Sequence, residues 1–226
     1  MPDDGLHSSH RSRLREKFKK GGFDSLSFHE IVELLLFYPL PRVNTNETAH
    51  RLEDAFGDSI SAIFEADDDK LRRIAGLSDS AVLFFRIMLD LIRRYNIEKT
   101  ELPPGEIHTG DSHKEQLIAY FTGRRAECAI AVLFDSNMRK ISLEPLGVGT
   151  QDSTLINVRQ LVKTALDKNA AALLIAHNHV GTGINPSTSD IIVTRRVERT
   201  LSDIDIRFIG SYIICGNEIG LIMPVS

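Results

Sequence analysis

The sequence has few cysteines, only Cys128 and Cys215 among 226 residues. Neither belongs to a Cys-x-x-Cys pair, so the spacing offers no redox motif and no cysteine-based zinc site. Each lies within an apolar run, ECAIAVLF for the first and SYIICG for the second. We therefore expect two buried, reduced thiols, as in cytosolic proteins, rather than a disulfide.

The sequence also lacks a long hydrophobic run and a strong excess of one charge. No apolar run approaches the ~18 residues that a membrane span needs, and the N-terminus has no apolar signal-peptide core. A formal net charge of -4 implies no overall attraction to nucleic acid or to an acidic membrane surface. We expect a soluble cytoplasmic protein without membrane contact, in which any nucleic-acid contact comes from a local patch.

A hydrophobic content of 42% is enough for packed cores, and the length suits two modest domains or one large one. Apolar positions at helical spacing predict that the first hundred residues are helical. The stretch 98–110, which contains Pro103-Pro104-Gly105, breaks this pattern. We interpret it as a linker between a helical domain, 1–97, and a second domain, 111–226.

The second half mixes short apolar runs with helical patterns. Runs typical of strands lie at 127–135, 140–147, 171–176, 206–215 and 219–223, and helical patterns lie at 113–122, 158–168 and 187–202. A turn predicted at 136–137 joins the first two strands. The mixture predicts an α+β, three-layer domain on a mixed sheet, with a hairpin at each end.

The most informative stretch is AHNHVGTGINPSTSD, residues 176–190. His177 and His179 follow directly on a predicted buried strand, and side chains at positions i and i+2 of a strand point the same way. Asp190 lies in the first turn of the following helix, so its carboxylate can turn back toward the two imidazoles. Two imidazoles and a carboxylate suit zinc, with a fourth position open for water.

Each of these residues also has a simpler explanation. Two histidines near a strand end are commonly ordinary polar residues, and the helix dipole alone favours Asp190 in a first turn. Ser187 has the position of an N-cap, with Asp190 answering it three residues later. The combined spacing is much rarer by chance than any one feature, and it favours the zinc site.

The pattern His177-Asn178-His179 followed by Ser187-x-x-Asp190 resembles the JAMM/MPN+ metalloprotease motif. More closely, AHNH…NPSTSD is similar to the bacterial RadC-like (UPF0758) proteins, and the similarity extends over nearly the whole chain. LRRIAGLSDSAVLFF, residues 71–85, resembles a degenerate helix–hairpin–helix. The resemblance implies an N-terminal helical domain with that hairpin, followed by a mixed-sheet JAMM/MPN domain of the cytidine-deaminase-like three-layer type.

The resemblance also implies roles for single residues. His177, His179 and Asp190 would bind one Zn²⁺ per chain, in a metallopeptidase that cleaves a peptide or isopeptide bond of a peptide or protein substrate. Ser187 would donate a hydrogen bond to the oxyanion of the tetrahedral intermediate, and its capping role is an equally simple account.

The resemblance further implies that a glutamate acts as the general base, and in the JAMM fold this residue stands just before the first core strand. Glu127 occupies that place, directly ahead of CAIAVLF. Glu144, in the second strand, is the alternative. The base would take a proton from the activated water and deliver it to the leaving amine.

The sequence departs from the family pattern at the rim of this site. Val180-Gly181-Thr182 stands where Pro-Ser-Gly is usual, 157–160 reads Asn-Val-Arg-Gln where His-Pro-Arg-Glu is common, and Ser211-Tyr212 replaces a typical Asp-His pair. None of these changes removes a metal ligand, but they weaken any inference of substrate from relatives.

The N-terminal region raises a second hypothesis, a DNA-associated accessory protein in which the metal site is structural or vestigial. Residues 10–20 hold six cationic side chains against one glutamate, and such a run can contact phosphates or form a solvated helix face. In the hairpin at 74–79, Asp79 would repel a phosphate, so packing explains that turn better. The candidate DNA contacts are Arg11, Arg13, Arg15, Lys17, Lys19 and Lys20.

Overall fold

The computed structural model describes residues 4–101, 110–148 and 156–222. The chain divides into two compact units, Met1–Leu91 and Ile92–Ser226. Within the described ranges, no helix combines the length and the apolar character that crossing a membrane requires.

The first unit is helical, as the sequence predicts. Its helices are α1 (Asp4–Gly21), α2 (Phe28–Leu36), α3 (Asn46–Phe56), α4 (Ile60–Glu65), α5 (Asp68–Arg72) and the start of α6 (Asp79–Thr100). Helix α2 begins with a capping box, in which the N–H of Ser27 donates to Glu30 Oε2 at 2.9 Å. Apolar faces of α2 to α6 meet in one core, which includes Val32, Leu36, Leu52, Ile63, Leu71 and Phe85.

The second unit is built on a five-stranded mixed sheet in the order β2-β1-β3-β4-β5. Strands β3 and β4 are parallel, and the other neighbours among the described strands are antiparallel. Helix α9 forms the crossover that a parallel pair requires, and hairpins lie at both ends, as expected. The elements are α7 (Gly110–Phe121), β1 (Cys128–Phe134), β2 (Lys140–Val148), α8 (Val158–Asp167), β3 (Ala172–Asn178), α9 (Thr188–Ser202), β4 (Arg207–Cys215) and β5 (Glu218–Ile222).

Helices cover both faces of this sheet, which confirms the three-layer expectation. On one face, Leu117 and Phe121 of α7 pack on Ile130 and Leu174. On the other face, α8 and α9 pack on Leu173 and its neighbours. Strands β1 and β3 are buried along their whole length, because they are central strands covered from both sides.

Two details differ from the sequence-based expectation. Residues 98–100 were expected in the linker, yet α6 continues to Thr100, since the first helix-breaking residue is Pro103. The domain boundaries themselves stay a prediction.

Both cysteines are free, but only Cys128 is buried, and Cys215 is partly exposed because it lies at the end of β4. Burial raises the pKa of the Cys128 thiol.

Candidate metal centre

The two predicted ligand histidines lie where strand β3 ends. The backbone N–H of His179 donates to the carbonyl of Ile214 on β4 at 2.9 Å, so the extended conformation continues one residue past the strand. Because side chains alternate along a strand, His177 and His179 point to the same face as Ile175, which α8 and α9 cover. Both imidazoles are largely buried, with 4% and 10% of their side chains exposed.

Asp190 reaches the same place from the first turn of α9. Ser187 is the N-cap of this helix, and its hydroxyl accepts from the N–H of Asp190 at 3.2 Å. In return, Asp190 Oδ2 accepts from the N–H of Ser187 at 2.8 Å and from the Ser187 hydroxyl at 2.6 Å. This capping box confirms the capping role predicted for Ser187, and it holds the carboxylate toward the histidines.

The three side chains form a tight triangle of candidate ligand atoms. Nε2 of His177 lies 3.2 Å from Nε2 of His179. Asp190 Oδ1 lies 3.3 Å from His177 Nε2, and Oδ2 lies 3.5 Å from His179 Nε2. Ligands bound to zinc at 2.0–2.1 Å in a tetrahedron stand about 3.3 Å apart. The observed separations match that spacing, so these residues could hold a metal ion.

A carbonyl behind His179 orients its ring. Nδ1 of His179 lies 2.9 Å from the carbonyl oxygen of Gly183, which only accepts hydrogen bonds, so Nδ1 carries the proton and Nε2 keeps its lone pair. Gly183 can stand there because the loop turns through positive φ angles at Gly181 and Gly183, +76° and +79°. The loop packs against β5, where Gly220 has no side chain and so leaves space for Ile184.

The electrostatics of the triangle favour an ionised carboxylate. Burial acts to raise the pKa of Asp190, but hydrogen bonds from His177 and Ser187 outweigh burial and bring this pKa well below its usual range. Asp190 therefore offers a negative charge beside the two imidazoles over the whole range of ordinary pH.

Strand register places Glu127 on the side of the histidines. Ala129 of β1 is paired with His177 of β3, and residues directly opposite in an antiparallel pair share a face. Glu127 lies two residues before Ala129 and directly ahead of β1. Continued strand alternation therefore directs its side chain to the same face of the sheet as Ala129. It is half-buried. Its role as a base stays a prediction that this placement supports.

Asn178, which the sequence analysis did not single out, holds the backbone around Glu127. Its Oδ1 accepts from the N–H of Cys128 at 2.8 Å, and its Nδ2 donates to the carbonyl of Ala126 at 3.1 Å. Asn178 is 4% exposed and points to the face opposite the histidines. The sequence contains a signal for this role. Asn178 lies between two strand residues that point to one face of the sheet, so its polar side chain points into the core on the other face and must find hydrogen-bond partners there.

Glu144, the alternative base, is engaged elsewhere. It pairs with Ala131 across β2 and β1, two strands from β3 and farther along the sheet than His177. Strand spacing and residue rise place its backbone about 11–12 Å from that of His177. Its Oε1 lies 2.9 Å from Lys168 Nζ, and the hydrogen bond from Lys168 lowers the pKa of its carboxyl. This geometry favours Glu127.

Several of the candidate DNA-contacting cations make contacts within the first unit. Arg11 donates to the carbonyls of Leu40, Pro41 and Val43, and its guanidinium lies 4.5 Å from the centre of the Phe37 ring.

The remaining cations of that run divide between paired and exposed positions. Arg15 also lies over the Phe37 ring, and Arg13 Nη2 lies 2.9 Å from His10 Nδ1. Lys17 and Lys19 form ion pairs with glutamates, and Lys20 is exposed. Much of this run is thereby part of the helical packing, and DNA contact stays a prediction.

The turn at 74–79 joins α5 to α6. Gly76 has a φ of +88°, and a Cβ at this position would lie 2.3 Å from Thr48 Oγ1. Arg51 of α3 donates to the carbonyl of Ala75 at 2.9 Å. Asp79 accepts from Arg72 Nε at 3.0 Å. These contacts agree with the interpretation of this turn as a packing element.

Comparison with known proteins places this chain in a family. The model described as "RadC-like JAB domain" matches residues 108–222. A UPF0758 protein of Fusobacterium nucleatum is 32% identical over 220 residues, which covers 94% of each chain. A UPF0758 protein of Cupriavidus taiwanensis is 31% identical over 92% of this chain and 90% of its own, and one of Photobacterium profundum is 32% identical over 92% of each. The names of these relatives state no reaction.

Proposed function

This chain belongs to the family of RadC-like JAB-domain proteins, and from that premise we propose that it is a zinc-dependent hydrolase, a metallopeptidase that cleaves a peptide or isopeptide bond. The observation that carries the proposal is the triangle of His177, His179 and Asp190. The two Nε2 atoms are 3.2 Å apart, and each lies within 3.5 Å of a different oxygen of the Asp190 carboxylate. Three protein ligands leave a fourth tetrahedral position for water, as catalytic zinc sites do.

The donor set fits zinc better than it fits a harder ion. Two imidazole nitrogens and one carboxylate oxygen suit zinc, whereas magnesium and calcium prefer oxygen ligands throughout. When bound, zinc lowers the pKa of a water molecule and polarises a carbonyl group. The capping box at Ser187 and the Gly183 carbonyl hold the ligands before any ion arrives, and such preorganised support favours binding.

The chain's own residues have the following roles in the proposal. Glu127 accepts a proton from the attacking water and passes it to the leaving amine. Asn178 is a positioning residue, since it holds the backbone on both sides of Glu127. Ser187 donates a hydrogen bond from its hydroxyl to the oxyanion of the substrate. When the Ser187 hydroxyl turns toward the substrate, Asp190 Oδ2 still accepts a hydrogen bond from the backbone N–H of Ser187.

The proposal is tested by digestion of a peptide library that includes lysine-linked isopeptides, with products read by mass spectrometry. We expect cleavage by the zinc-loaded chain, loss of cleavage after chelation, and return with one equivalent of zinc. Glu127→Gln should reduce the rate by about 10²–10⁴-fold, because it removes the base and leaves the metal ligands in place. Cleavage that persists in metal-free protein would overturn the proposal.

Glu144→Gln is the matched control, because it makes the same change of charge at the alternative base. This substitution breaks an ion pair with Lys168 that is partly exposed, so it should cost at most about 1 kcal/mol of stability. We expect its cleavage rate to stay within a few-fold of the parent rate. If Glu144→Gln abolishes cleavage and Glu127→Gln does not, the assignment of the base is wrong.

A further inference from the structure

A second cluster of metal-ligating side chains lies in the first unit. It consists of His29, His50 and Glu53, and one candidate ligand atom from each lies within 4.8 Å of the others. His29 is in the first turn of α2, and His50 and Glu53 are three residues apart on α3. Residues at i and i+3 share a helix face, so His50 and Glu53 both project toward His29.

The two imidazoles are close enough to bind one ion. Their ring centres are 4.4 Å apart and the ring planes are inclined by 27°. Nδ1 of His50 lies 3.1 Å from Glu53 Oε2, close to the ligand separation in a tetrahedral site. Nδ1 of His29 lies 3.3 Å from the Ser27 hydroxyl, which can accept a hydrogen bond from the Nδ1–H group and leave Nε2 free to bind an ion.

We propose that His29, His50 and Glu53 form a second site for a divalent transition metal such as Zn²⁺. Two imidazoles and a carboxylate are the ligand types that such ions prefer, and water completes the coordination. The side chains are partly exposed, 49% for His50 and 30% for Glu53, so the ion can enter from solvent without any opening of the core. A bound ion cross-links α2 and α3 and stabilises the folded first unit by mass action.

The test titrates the full, metal-free chain with Zn²⁺ alone by calorimetry. We expect two equivalents for the parent chain and one for His29→Gln with His50→Gln. Both histidines lie near the surface, so this double variant should fold normally. Glu53→Gln should weaken this site at least about tenfold, as loss of a ligand or of its immediate support does. The control is Asp54→Asn, which makes the same charge change at the next, exposed residue of α3 and should bind like the parent.

A second measurement separates this site from the one proposed for hydrolysis. In His177→Gln with His179→Gln, Zn²⁺ should still raise the thermal unfolding midpoint, and adding His29→Gln and His50→Gln should abolish that rise. If the His29 and His50 variant keeps the parent's full stoichiometry, the second site does not exist, whatever happens at His177 and His179. If the stoichiometry falls by one only in that variant, the second site stands even where the first fails.

Discussion

Replacing Asn178 by alanine removes the side chain that joins the end of β3 to the segment before β1. The amide of Asn178 makes two hydrogen bonds with the backbone: it accepts from the N–H of Cys128 at 2.8 Å and donates to the carbonyl of Ala126 at 3.1 Å. It also accepts from the Cys128 thiol at 3.4 Å. We expect the variant to unfold more easily and to misplace Glu127, which lies between those two residues in sequence. The proposed zinc ligands keep their own supports, so zinc binding should change little.

The expected size of the effect follows from the burial of these groups. Asn178 is 4% exposed and Cys128 is 6% exposed, so water does not readily replace the lost partner of the Cys128 N–H. A buried group left without its hydrogen bond costs about 1–3 kcal/mol, and the more accessible Ala126 carbonyl should cost less. Together they predict a loss of about 2–4 kcal/mol in the free energy of unfolding.

Urea unfolding of the metal-free protein, followed by circular dichroism, measures this loss. Asn137→Ala is the matched control, because Asn137 lies exposed in the β1–β2 turn and should change the free energy by less than about 0.5 kcal/mol. A loss below about 1 kcal/mol for Asn178→Ala would refute the reasoning. So would a cleavage rate equal to that of the parent, since Asn178 would then have no part in positioning Glu127.

Three further substitutions test other contacts. Gly76→Ala should destabilise the first unit by about 2–3 kcal/mol, because it combines a positive φ with a clash against Thr48 Oγ1, and adding Thr48→Ala should recover part of this loss in thermal melts. Gly220→Ala should weaken zinc affinity by about tenfold in calorimetry, since its Cβ would lie 2.9 Å from the backbone oxygen of Ile184, in the loop that supports the site. Asp190→Asn should lower the zinc content by one equivalent in elemental analysis yet cost at most about 1 kcal/mol of stability, because its amide oxygen still accepts the capping hydrogen bond. Unchanged stability, unchanged affinity and an unchanged zinc content, respectively, would contradict these expectations.

The cluster of candidate metal ligands could be predicted because its geometry is local. The i and i+2 alternation of a strand brings His177 and His179 together, and a capping box fixes Asp190 three residues after Ser187. Only the sharp turn between the strand and the helix had to be inferred, and the glycines of that loop indicate it. The layered fold was predictable for a similar reason, since helical and strand periodicities differ clearly in this chain.

Other features depend on register and packing, which a single sequence does not determine. The choice between Glu127 and Glu144 turns on which residue of β1 lies opposite His177, and this pairing joins positions nearly fifty residues apart. The role of Asn178 depends on the same pairing. The second cluster requires α2 to pack beside α3 so that His29 meets His50, a contact between helices that neither helix specifies alone.

The central claim is that His177, His179 and Asp190 bind the metal of a hydrolase. Crystals of the zinc-loaded chain, measured above and below the zinc absorption edge, test it most directly. The account predicts an anomalous peak about 2.0–2.2 Å from Nε2 of each histidine and from one oxygen of Asp190, with the Glu127 carboxylate within hydrogen-bond reach of a water at the fourth position. A fully loaded protein with no peak among these three side chains would contradict it.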